Sequence, residues 1–94
     1  MSKIWKCEVP DHAFFSEGAI IDVDNVIIDK VIHADFDPAQ NLCIWLEVKE
    51  AEYVSDYIKI FVRMTGENIG SGLRHINTVM RNGIVAHIYT TEDR

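Results

Sequence analysis

Four histidines, His12, His33, His75 and His87, are the side chains of this 94-residue chain best suited to acid–base work or metal binding. None lies in an HxH or HExxH arrangement, the spacings that bring two imidazoles or their helpers onto one face of a strand or helix. Two aspartate pairs, Asp22-Val23-Asp24 and Asp35-Phe36-Asp37, have the DxD spacing that can hold a divalent cation on a turn. Neither extends into the D-x-[DN]-x-[DN]-G pattern of a calcium loop, so both read as turn-forming residues at strand ends. The run Gly66-Glu67-Asn68-Ile69-Gly70-Ser71-Gly72 is rich in backbone amides, but Leu73 and Arg74 stand where a phosphate loop needs lysine followed by Ser or Thr. Gly70, Ser71, Gly72 and Arg74 therefore define an alternative ligand site, a nest able to grip a small anion or nucleotide. Ser16, Ser55 and Ser71 lack a nucleophile elbow, and Cys7 and Cys43 lie in strand-like segments rather than at a helix N-terminus. The sequence thus predicts no enzyme, no metal and no cofactor.

Composition narrows the partners. With 15 acidic and 9 basic residues the formal charge is −6, which disfavours nucleic-acid binding, since that affinity comes mainly from Lys and Arg neutralising phosphates. The acidic stretches Asp22 to Asp37 and Glu47 to Asp56 read as solvated faces before they read as DNA mimicry. No apolar stretch approaches the ~20 residues of a membrane helix, and the charged start Met-Ser-Lys-Ile-Trp-Lys-Cys-Glu is not a signal peptide. The expectation is a cytosolic protein with no membrane role, whose two cysteines are buried free thiols. The length allows a single domain over 1–94 with a modest core, which leaves self-association open.

The elements that position these residues are mostly strands. Lys3 to Val9 alternates, with Trp5, Cys7 and Val9 on one side, and Pro10 stops it. Ala19 to Val23 reads as a short strand, Asp24-Asn25 as a turn, and Val26 to Phe36 as a strand whose apolar side is Val26, Ile28, Ile32, Ala34 and Phe36, interrupted by Lys30. Asp37 to Asn41 is a hairpin connection. Leu42, Ile44, Leu46 and Val48 face inward on the next strand, Glu50 to Asp56 is a loop, and Ile58, Ile60, Val62 and Met64 face inward on the one after. Asn82-Gly83 then predicts a type I′ hairpin pairing Arg81 with Ile84, Thr78 with His87 and His75 with Thr90, which puts His75 and His87 on opposite faces. The fold class is all-β, a small antiparallel sandwich or barrel-like sheet of about six strands ending in a β-hairpin. Trp45, Phe61, Tyr57 and Glu47 share the outer faces of two strands expected to be neighbours, and are the candidate partner-binding residues.

The segments Ile4-Trp5-Lys6, Leu42-Cys43-Ile44-Trp45-Leu46-Glu47-Val48, Thr65-Gly66, His75-Ile76-Asn77-Thr78-Val79 and Gly83-Ile84-Val85-Ala86-His87-Ile88-Tyr89 resemble a family of small uncharacterised proteins found mainly in tailed-bacteriophage genomes. The chain departs from that pattern at Asn77, where the family ending carries glycine, at Met64-Thr65-Gly66 in place of Gly-Thr-Gly, and in its longer Asp37 to Asn41 connection. The resemblance implies a phage context and no catalytic activity. The expected role is that of a phage-encoded, non-enzymatic accessory protein acting in the host cell cytoplasm on a host bacterial protein, in counter-defence or host takeover. An oligomeric nucleotide-sequestering protein is the alternative, and a minor virion component a weaker one. Homodimerisation through the C-terminal hairpin or an edge strand is compatible with each.

Overall fold

Two long strands carry the fold: β2 (Ala19–Phe36) and β3 (Leu42–Met64), of 18 and 23 residues, form one antiparallel hairpin. The computed structural model describes residues 2–15 and 17–91. On the edge of β3 away from β2, β1 (Ser2–Glu8) pairs with Glu8↔Cys43 through Ser2↔Lys49, and β5 (Ile84–Thr91) pairs with Ile60↔Thr90 through Met64↔Ala86. Strand β4 (Leu73–Arg81) completes the sheet beside β5. The architecture is all-β, as expected, in one open antiparallel sheet. Among the described residues there are five strands rather than about six, because the segments read as separate strands on either side of Asn25, and on either side of Glu50 to Asp56, are continuous.

Alternation along β3 holds on both sides of its bend. Ile44, Leu46, Val48, Ile58, Ile60 and Val62 are all buried on one face, as a period of two requires. Strand β2 meets them only by shifting register three times, at Asn25, Asp29 and Ile32. Each shift reverses which parity faces inward, so the buried set runs Ile21, Val23, then Val26, Ile28, then Val31, then Ala34. This corrects the expected apolar side of Val26 to Phe36: Ile32 is the bulged residue and is 43% exposed, Val31 is buried in its place, and Lys30 pairs with Glu47 instead of interrupting the core. Asp24-Asn25 is likewise a bulge within β2, with Asn25 at φ 60, and not a turn between strands.

The Asp37 to Asn41 connection is closed by its own side chain. The Asn41 N–H donates to the Asp37 carboxylate at 2.9 Å and the Gln40 N–H to the Asp37 carbonyl at 2.8 Å. At the open side of the sheet, β4 lies against β2 through side chains. Asn77 Nδ2 donates to the Ala34 carbonyl at 2.8 Å, and the Arg81 guanidinium sits 4.6 Å from the Phe36 ring centroid while donating to the Gln40 carbonyl. Val79, Ala86 and Ile88 complete the core from this side.

Candidate functional site

The four expected contact residues all lie on β3, on its outer face, and not on two neighbouring strands. Trp45 stands between Lys6 and His33, and Glu47 between Ile4 and Lys30; Tyr57 is beside Asp22, and Phe61 beside Tyr89. Trp45 and Phe61 are sixteen residues apart on one strand, with the bend at 51–54 between them, so the set divides into two pairs on either side of the bend. Tyr57 is 54% exposed, whereas Phe61 is only 8% exposed. Its ring is covered by Gly18, where a Cβ would meet it at 2.7 Å, and by the Arg63 guanidinium 5.3 Å from the ring centroid. The connection between β1 and β2 therefore covers the outer face of β3 at Phe61. Trp45 is half-buried against the His33 ring, with centroids 5.7 Å apart.

The glycine loop is open rather than a cradle. Gly70 and Gly72 have positive φ and face empty space where a Cβ would stand, Ser71 is exposed, and Arg74 is half-buried on β4 opposite Thr90. Two clefts border the start of the loop, one of about 410 Å³ lined by Phe14, Arg63, Gly66, Glu67 and Asn68 and one of about 170 Å³ lined by Arg63, Thr65, Gly66, His87 and Tyr89, and neither is lined by Gly70, Ser71, Gly72 or Arg74.

The hairpin register begins as expected, with Arg81↔Ile84 and Thr78↔His87, but a bulge at Ile76 then pairs His75 with Tyr89 instead of Thr90. The extra residue turns His75 to the face that carries His87, which corrects the opposite-face expectation. Thr78 Oγ1 lies 2.9 Å from His75 Nε2 and 3.0 Å from His87 Nδ1, and Thr65 Oγ1 lies 2.9 Å from His87 Nε2. The result is a hydrogen-bonded row of two imidazoles and two hydroxyls that ties the β3–β4 loop to the sheet. Among the described residues, no three His, Cys, Asp or Glu side chains converge as a metal site would require.

Cys7 and Cys43 are free thiols. In register Cys7 pairs with Ile44 and Cys43 with Glu8, so they occupy opposite faces of the sheet and cannot bridge without rearrangement. The Cys43 thiol lies 3.6 Å from the Asp37 carboxylate, which in turn takes an ion pair from Lys6 Nζ at 2.9 Å. Burial first, and the Asp37 charge second, push the Cys43 thiol up; burial pushes Cys7 up. Thiols held protonated are poor nucleophiles.

A feature that the sequence did not signal lies at the bend of β3. Between Ser55, paired with Asp24, and Glu50, paired with Val26, residues 51–54 bulge outward opposite the single residue Asn25. The side chains of β2 and β3 stitch the bend: Tyr53 N–H donates to Asn25 Oδ1 at 3.2 Å, Ser55 Oγ to Asp24 at 2.9 Å, and Ile28 N–H to Asp56 at 2.9 Å. Tyr53 is at φ 62 and is 95% exposed. Left-handed backbone costs a non-glycine residue about 1–2 kcal/mol, and nothing is recovered here by burying the ring. Beside it a cleft of about 540 Å³ is lined by Trp5, Val26 and Tyr53 together with Asp24, Glu50 and Glu52. Lys3 pairs with Glu50, and that ammonium holds the Glu50 carboxyl below the usual range.

The bent hairpin with its flanking strands defines a small all-β domain built on one open antiparallel sheet. The chain belongs to the DUF7352 family, a domain of unknown function, whose model matches residues 1–94. We found no match for it among curated proteins or among solved structures.

Proposed function

We propose that this chain is a phage-encoded, non-enzymatic protein that binds and modulates a host bacterial protein in the host cytoplasm, in counter-defence or host takeover. The observation that carries the binding role is Tyr53, a strained and almost fully exposed aromatic at the bend of β3. Strain of this kind is a pointer to function when folding alone does not explain it, and tyrosine is favoured at binding hot spots. The phage context rests on the motif resemblance of the strands and the hairpin. Trp45, Glu47 and Tyr57 extend the contact candidates along the outer face of β3, where Phe61 is covered by Gly18 and Arg63.

The test is capture from a lysate of the host bacterium by the immobilised protein and by Tyr53→Ala, Trp45→Ala and Tyr57→Ala. One host protein retained near stoichiometry by the wild type, and lost from at least one folded variant, is the expected result. No retained protein, or retention unchanged by all three, rejects the assignment. Nucleotide sequestration by Gly70, Ser71, Gly72 and Arg74 is the weaker reading, because that loop is open; native mass spectrometry that found excess mass on an oligomer would restore it.

A further inference from the structure

The cleft at the bend combines two kinds of surface whose shared ligand is an organic cation. Trp5, which points to the core side of β1 and remains partly exposed, and Val26 provide an apolar floor, and Tyr53 stands at the rim. Carboxylates come from both strands of the long hairpin, Asp24 on β2 and Glu50 and Glu52 on β3, and none of the lining residues is basic. Lys3 reaches Glu50 from the side, which leaves an excess of negative charge over the aromatic floor. An anion is repelled by such a site. A metal ion would need three converging ligands, which the described residues do not supply. A guanidinium or ammonium carried on an alkyl stem meets both requirements, its stem on the apolar floor and its charge between ring faces and carboxylates.

We propose that this cleft receives a basic side chain, arginine in preference to lysine, from the protein partner. The proposal rests on the protein-binding reading above and adds the partner's chemistry. Arginine is preferred because its planar cation stacks on an aromatic ring while its edge pairs with a carboxylate, which the ammonium of lysine does less well. The net charge of −6 steers such a partner toward the protein over distances longer than the contact itself.

The experiment uses the full ¹⁵N-labelled chain titrated with acetyl-Gly-Arg-Gly-amide, with its lysine counterpart, and with the citrulline counterpart, which has nearly the shape of arginine but no charge. The arginine peptide is expected to move the Trp5 indole N–H and the amides of residues 50–53, while the Trp45 indole, on the opposite face of the sheet, stays still. The lysine peptide should bind more weakly and the citrulline peptide at least about tenfold more weakly, the scale of a lost cation–π and ion-pair contact. Glu52→Gln and Tyr53→Gly should each weaken the arginine peptide several-fold, and Tyr53→Gly keeps a residue that adopts positive φ freely. Equal shifts from the citrulline peptide, or none from arginine, overturn the proposal. If Tyr53→Ala loses a captured host protein while Glu52→Gln and Asp24→Asn retain it, the cleft fails and the binding role stands. If the arginine peptide seats at Trp5 but no host protein is ever retained, the cleft stands and the host-binding role falls.

Discussion

The side-chain amide of Asn77 on β4 donates to the backbone carbonyl of Ala34 on β2, 2.8 Å away, across the side of the sheet where no ladder joins the two strands. Asn77 can reach because the bulge at Ile76 places it, next to Val79, on the core side of the hairpin. Here a side chain performs a closure that a glycine at the same position could not.

Asn77→Ala should therefore lower stability by about 1–3 kcal/mol, the usual cost of leaving a partly buried carbonyl without its donor. Urea unfolding reads this as a lower midpoint at unchanged slope. A midpoint unmoved to within about 0.5 kcal/mol, the range of inert surface changes, would show that the two strands are held together by their apolar contacts alone.

The Lys6–Asp37 pair makes stability depend on pH at both extremes. The Lys6 ammonium, helped by the Asn41 N–H, holds the Asp37 carboxyl below the usual aspartate range, and Asp37 holds Lys6 above the usual lysine range. A lowered carboxyl contributes stability that is present above its unfolded pKa, about 4, and is lost as pH falls through its lower folded value. A raised ammonium contributes stability below its unfolded pKa that is lost as pH rises through the folded one. Urea midpoints followed over the acid limb should fall less steeply in Asp37→Asn than in the wild type, and Lys6→Met should flatten both limbs. Parallel curves for all three proteins would remove the pair from the account.

Gly18 is required by space as well as by backbone. At φ +73 an added Cβ would stand 2.7 Å from the Phe61 ring and 2.9 Å from the Ile60 carbonyl, whereas at Gly66, φ +96, it would meet nothing within 4 Å. Both alanine variants carry the left-handed backbone cost of about 1–2 kcal/mol, but only Gly18→Ala should add an overpacking cost of about 1–3 kcal/mol. Comparing their thermal midpoints isolates the clash. Equal losses would mean that Phe61 moves aside freely and that the N-terminal connection is loosely seated.

The legible parts of this fold were those governed by local rules. Asn82-Gly83 announced the hairpin and its first pairs, and the even-numbered residues of β3 announced their buried face. What escaped were the bulges, since a single extra residue at Asp29, Ile32 or Ile76, or the four residues opposite Asn25, leave no compositional trace and are decided by which apolar side chain the core accepts. Lys30 was the visible symptom, an apparent intruder that a one-residue shift removes. The face shared by His75 and His87 was misjudged for the same reason. Tyr53 was hidden more deeply, because the stretch Glu50 to Asp56 looks like any acidic loop, and only the pairing of Val26 with Glu50 and of Asp24 with Ser55 shows how far it is thrown outward.

That outward throw frees one stretch of the chain from the arithmetic of the sheet. Inside a regular ladder an inserted residue reverses the facing of everything beyond it, but four residues opposite Asn25 already absorb a mismatch, and the pairs on both sides start afresh. Length and composition at 51–54 can therefore drift between related chains without disturbing Ile44, Leu46 and Val48 on one side or Ile58, Ile60 and Val62 on the other. The bend is a place where the surface of this chain can be redrawn while its interior stays intact.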